Sequence, residues 1–172
     1  SIHNITKFIK YSYAGPLLKK EVKAINFIIK NKKEPITCII GGSKISTKIN
    51  VISSLIEKVN NIIIVGAMAN NFFKYKNLKV GKSLVEKNTK DLIKGIYEKA
   101  KKNNCEILIP EDCVVGTSLS GKGENKDLCA ILDNEIILDI GPKTAEIIKN
   151  MIDQSNTVLW NGPAGYFENE NF

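Results

Sequence analysis

The chain contains no arginine: its 25 basic residues are all lysine, set against 18 acidic residues for a formal net charge of +7. Nucleic-acid recognition leans on the arginine fork for phosphates and base edges. The lysines here are scattered along polar helix faces instead of forming a basic block interleaved with aromatics, so no nucleic-acid partner is expected. Histidine is almost as scarce. His3 stands alone near the chain start and is given no role. No Cys-x-x-Cys pair occurs among Cys38, Cys105, Cys113 and Cys129, which argues against a zinc site and fits reduced thiols in the cytoplasm. No apolar run approaches the roughly 20 residues that span a bilayer, and no secretory pattern follows Ser1. Neither a membrane partner nor a metal site built from this chain is expected.

What is present is an ordinary globular composition, 43% hydrophobic and 25% charged over 172 residues, enough for one domain with a sizeable core. Gly15-Pro16 opens a helix, because proline suits the first helical turn. Its apolar stripe is Leu17, Leu18, Val22, Ile25, Ile28 and Ile29, and Pro35 ends the segment. Short apolar runs then alternate with helix-patterned segments. The runs are 36–40, 61–65, 106–109 (resumed at Val114-Val115), 136–140 and 157–160; the helices cover 45–56, 67–74, 90–102 and 142–151. Runs apolar on both faces imply a parallel sheet covered on both sides. The expected fold is therefore α/β, a three-layer α/β/α Rossmann-like parallel sheet. Residues 116–129 read as a surface loop. Cys38 and Trp160 read as core, and Phe72-Phe73 as packing.

Ligands of such sheets bind beyond the carboxyl ends of the strands. Those ends carry Gly41-Gly42, Gly66, Pro110-Glu111-Asp112, Asp139-Ile140-Gly141 and Asn161-Gly162-Pro163. At the first, two glycines allow close backbone approach and a helix start offers unpaired N–H groups to an anion. Lys44 and Lys48 lie four apart, on one helix face. The pattern suits a nucleotide phosphate, although Gly-Gly after a buried strand is also a common tight turn. Neither the Walker loop nor the Gly-x-Gly-x-x-Gly fingerprint fits these residues.

Five stretches, in order, resemble the nucleotide-binding half of the phosphoglycerate kinase family. They are Ile40–Ile49, Gly66–Asn70, Val80–Glu86, Leu138–Ala145 and Trp160–Glu168. The family transfers a phosphoryl group between 1,3-bisphosphoglycerate and ADP, giving 3-phosphoglycerate and ATP with Mg²⁺. The resemblance implies that Lys48 contacts the nucleotide phosphates and that Lys44 reaches the phosphates or the phosphoryl in transit. It implies that Gly42, Ser43 and Gly66 line the nucleoside pocket with the backbone at Ile137 and Leu138. Asn161, Gly162, Pro163, Ala164 and Phe167 form the other wall, and Glu168 accepts hydrogen bonds from the ribose. Lys82 matches the family without an evident chemical role. Two departures stand out: Val65 replaces a glycine and is expected to narrow the adenine slot, and Ile137 replaces a small residue.

The resemblance also bears on extent. Residues 1–14 match the end of the phosphoglycerate-binding domain, 15–34 the interdomain helix, and 35–172 a nucleotide-binding domain expected to lack its last strand or strands. The Mg²⁺ ligand and the phosphoglycerate site would lie outside this chain, so the isolated chain is expected to show no turnover. The full-length protein is expected to be a cytoplasmic monomer. A non-catalytic nucleotide-binding or interaction module of the same fold is the alternative.

Overall fold

A computed structural model describes residues 7–31 and 33–172, excluding the side chains of residues 24, 25 and 27–30. His3 and the side chains of Ile25, Ile28 and Ile29 therefore lie outside the described residues. The chain divides into two units, Ser1–Lys32 and Lys33–Phe172. The first holds helix α1, Pro16–Lys30, which starts at its proline as expected.

The second unit holds the remaining elements. In chain order they are β1 (Ile36–Ile40), α2 (Ile45–Ile56), β2 (Asn61–Ile64), α3 (Ala69–Tyr75), α4 (Lys90–Lys102), β3 (Glu106–Leu108), β4 (Asp112–Gly116), β5 (Glu124–Asp127), β6 (Ile136–Ile140), α5 (Pro142–Asp153) and β7 (Thr157–Asn161). A parallel sheet runs in the order β3-β2-β1-β7, with Cys38 of β1 opposite Ile62 of β2 and Leu159 of β7.

Side chains alternate across a strand, and both faces of the central strands β1 and β2 are covered. Cys38, Ile40, Ile62 and Ile64 pack with Ile45, Ile52 and Ile56 of α2 and with Ile93 and Ile96 of α4. Ile39, Ile63 and Val65 pack with Ile148 of α5 on the opposite face. Each fully buried isoleucine contributes about 1.5–3 kcal/mol, so the β1–β2 pair dominates the core. The three-layer α/β reading holds.

Four expectations are corrected. The run 136–140 does not join the parallel sheet. It is β6 of a second, antiparallel sheet ordered β5-β4-β6. Val114-Val115 is not a resumption of β3, because Pro110 ends that strand and β4 pairs antiparallel with β6. The expected surface loop 116–129 contains β5, which is paired with β4. An apolar run of strand length carries no information about its partner. Trp160 is not core either. It is 58% exposed, on the face of edge strand β7 that also shows Val158, and its indole N–H donates to Gly162 O at 2.8 Å. Cys38, Phe72 and Phe73 are buried.

The antiparallel sheet is joined to α5 through Asp112. Its carboxylate accepts from Lys143 N (2.9 Å) and from Thr144 N (2.8 Å) and Oγ1 (2.6 Å). It thus caps a helix whose own N-cap residue, Gly141, has no side chain to do so. Burial pushes this carboxyl upward, but the hydrogen bonds from Thr144 and Lys143 and the Lys143 charge outweigh it and hold its pKa below the ordinary range. The Asp112→Ala variant should lose about 1–3 kcal/mol, the cost of unpaired buried donors. A depressed carboxylate pKa stabilises the fold above its unfolded value, about 3.9, and that gain is lost as pH falls through the folded value. Denaturant midpoints at pH 7 and pH 3 check this: the variant should differ from the parent more at pH 7.

Candidate nucleotide site

The carboxyl ends of β1, β2 and β7 face β6 and the end of β4 across a cleft of about 500 Å³. Gly42, Ser43 and Gly66 line the side formed by the parallel sheet, together with Ala67, Asn70 and Phe73 of the following turn and helix. Ile136–Ile140 supply the opposite wall, and the 163–168 segment after β7 closes a third side. Tyr166 N donates to Leu138 O at 2.7 Å, which fixes that segment against β6.

Of the residues expected from the sequence, the structure brings Gly42, Ser43, Gly66, Ile137, Leu138, Pro163, Ala164, Phe167 and Glu168 together on this lining. Lys44, Lys48, Asn161 and Gly162 are not among the lining residues. Lys48 is nevertheless at the edge. Its Nζ donates to Gly41 O and to Asn161 Oδ1, both at 2.7 Å. It passes between two glycines: a Cβ on Gly42 would lie 3.3 Å from Nζ, and one on Gly162 would lie 3.1 Å away. Lys44 is exposed and caps α2 through its backbone only.

The start of α2 differs from the expectation of unpaired N–H groups. Glu86, 40 residues further along, accepts from Ser46 N at 3.1 Å and from the Ser46 hydroxyl. Burial raises the Glu86 pKa, but these bonds, the Ile45 N–H and the Lys44 charge together bring it below the ordinary carboxylate range. An internal carboxylate thus stands where a free anion was expected.

Val65 is not among the residues that line the cleft. It continues the β2 alternation after Ile63, and its fully buried side chain packs with Ile39 and Ile148 in a cluster that Ile140 and Ala164 of the cleft wall also touch.

Asp139 was missed by sequence reasoning, although it sits inside a matched stretch. It lines the cleft and packs against Gly165, where any Cβ would collide with its carboxylate. Burial raises its pKa, and the Ile140 N–H offsets this in part. Cys113 also lines the cleft as a buried thiol pushed up to about 12, by burial first and then by the Asp112 charge. A thiol so protonated is inert as a nucleophile. Asn70 was missed too. Its amide donates to Leu84 O at 3.1 Å, and its oxygen is buried without a hydrogen-bond partner among the described residues.

The sequence profile of the family described as phosphoglycerate kinase matches residues 1–172. The chain belongs to the phosphoglycerate kinase family. It is 46% identical over 178 aligned residues to the phosphoglycerate kinase of Wolbachia pipientis wMel, with all of this chain and 43% of that protein covered. The solved phosphoglycerate kinase structure from Coxiella burnetii superimposes with a TM-score of 0.84 at 39% identity, covering 91% of this chain and 41% of the other. The one from Pyrococcus horikoshii OT3 gives 0.71 at 27% identity, covering 92% and 41%. The chain thus spans less than half the length of the phosphoglycerate kinases it matches.

Proposed function

We propose that this chain forms the nucleotide half of a phosphoglycerate kinase site. It would bind ADP or ATP during reversible phosphoryl transfer from 1,3-bisphosphoglycerate in glycolysis. The observation that carries this reading is the convergence of the five matched stretches on one cleft, with the Lys48 amine at its rim. An apolar slot with few polar groups suits a base. Glu168 at the mouth suits ribose hydroxyls, and Lys48 and Lys44 suit phosphates. In phosphoryl transfer, negative charge spreads over the equatorial oxygens in the transition state, and fixed cations beside them lower the barrier.

Among the described residues no group of three or more His, Cys, Asp or Glu is placed to hold a metal ion. In this reading Mg²⁺ arrives with the nucleotide, and no step is routed through residues of this chain to it. No described helix is long and apolar enough to cross a membrane. The reading further takes the whole protein as a cytoplasmic monomer that binds neither membrane nor nucleic acid. Turnover is expected only where the 3-phosphoglycerate side of the site is also present.

Calorimetric titration with ADP and with 2′-deoxy-ADP tests the reading. A hydrogen bond to a charged group contributes about 1.5–3 kcal/mol. Glu168→Ala should therefore weaken ADP roughly tenfold or more, and loss of the 2′-hydroxyl should matter to the parent but not to this variant. A folded chain that ignores millimolar ADP would sink the nucleotide assignment.

A further inference from the structure

The matched segment Val80–Glu86 contributes only Leu84 to the cleft lining, yet it is hydrogen-bonded to the structure on both sides. On one side Lys82 N donates to Glu135 O at 2.7 Å, and Ser83 Oγ accepts from Ile137 N at 2.8 Å. Both partners flank or belong to β6, the wall opposite the parallel sheet. On the other side Leu84 O accepts from Asn70, and Glu86 N donates to Asn71 Oδ1 at 2.9 Å. Asn70 and Asn71 are each 1% exposed; two adjacent buried amides are costly unless they bond, and each gives one bond to this segment while the Asn71 amide also donates to Met68 O. Glu86 then holds the first turn of α2 through Ser46. The α2 turn so held carries Lys44 and Lys48. The segment therefore spans the cleft and ties its base wall to its cationic edge, while the Leu84 side chain lines the space between.

We propose that Ser83 and Glu86 are positioning residues on a strap that fixes the α2 lysines relative to the β6 wall of the nucleotide cleft. The proposal rests on the nucleotide reading above. Glu86 acts through α2, so its loss must act on the phosphate end and spare the base end. Ser83 holds the base wall, so its loss must act on every nucleotide alike.

The test is the ratio of ADP to adenosine affinity, measured by calorimetry on the chain and its variants, with folding checked by circular dichroism. Loss of a hydrogen bond that holds α2 should cut that ratio about fivefold or more in Glu86→Ala, with adenosine binding unchanged. Glu86→Gln keeps an acceptor for Ser46 and should recover most of the ratio. Ser83→Ala should weaken both ligands by one factor and leave the ratio alone. Lys79→Ala, which removes only an exposed ion pair with Asp133, should change neither. A Glu86→Ala ratio equal to the parent's overturns the proposal. So does a raised ratio, which would make Glu86 a competitor of the phosphates. Should Glu86→Ala not fold, Ser46→Ala replaces it, and there an unchanged ratio is equally fatal. If the parent binds neither ligand, the nucleotide reading itself fails, a result distinct from these.

Discussion

Replacing Gly41 with alanine should destabilise the domain by about 3 kcal/mol, the upper part of the usual range for forced overpacking. Gly41 follows β1 directly, where β1 and β7 end side by side. A Cβ there would run into Pro163 O and lie 2.7 Å from Pro163 C and 3.1 Å from Gly162 C. All of these are backbone atoms, so no side chain can swing aside. The Asn161-Gly162-Pro163 turn would have to retreat. That retreat breaks the bond from Gly41 N to Asn161 O, 2.8 Å long, and pulls apart the two acceptors shared by Lys48. For a domain of this size the expected fall in Tm is roughly 6–12 °C. Gly95 provides the internal control. It lies in α4 with nothing within 4 Å of an added Cβ, so Gly95→Ala should gain up to about 1 kcal/mol from helix propensity. Thermal unfolding followed by circular dichroism compares the two. Equal stability of Gly41→Ala and the parent would mean that the loops do not pack as closely as described.

The contrast between these glycines shows which features the sequence made legible. Elements with strong local signals were readable to within a residue or two: α1 begins at Pro16, and α4 runs from Lys90 to Lys102. The pairing of β1 with β2 followed from runs too apolar to have a wet face, and β7 joined them as an edge strand that leaves Val158 and Trp160 exposed. Partner choice was not legible, because pairing of β6 with β4 depends on contacts between segments some 20 residues apart, whose apolar pattern suits either sheet. The side of a residue at a strand end also needs the strand's phase. Val65 falls in the cluster on the α5 side with Ile63, behind the lining and not in it. The Glu86 cap was hidden for a third reason. A helix start with no acidic residue in its first turn looks open in sequence, and a carboxylate 40 residues away leaves no local mark. Nine of the thirteen expected site residues line the cleft because strand-end motifs are local. Of the remaining four, Lys44 stands apart as the N-cap of α2, and Asn161 and Gly162 meet the Lys48 side chain beside the cleft.

That lysine carries the other large effect. Lys48→Met should weaken ADP by roughly ten- to a hundredfold, the range for losing a charged hydrogen-bond partner. In the proposed reaction, phosphoryl transfer should fall on the order of 10²–10³-fold, as when a transition-state donor is removed. Two separate roles are folded into this residue. Its amine ties the ends of β1 and β7 together through Gly41 O and Asn161 Oδ1, and in the proposed reaction it meets phosphate oxygens. Asn161→Ala separates them, because it removes one acceptor of the tie while leaving the charge in place. That variant should lose stability with a smaller loss of ADP affinity than Lys48→Met. Lys48→Arg should not restore binding. The guanidinium is broader than an ammonium and fixed in a planar fork, so it cannot take the single point from which Nζ donates to both Gly41 O and Asn161 Oδ1 at 2.7 Å. ADP titrations of the three variants, each with its unfolding midpoint, check the ordering. If Lys48→Met loses stability but keeps full ADP affinity, the amine serves only as a tie and the phosphate role passes to Lys44.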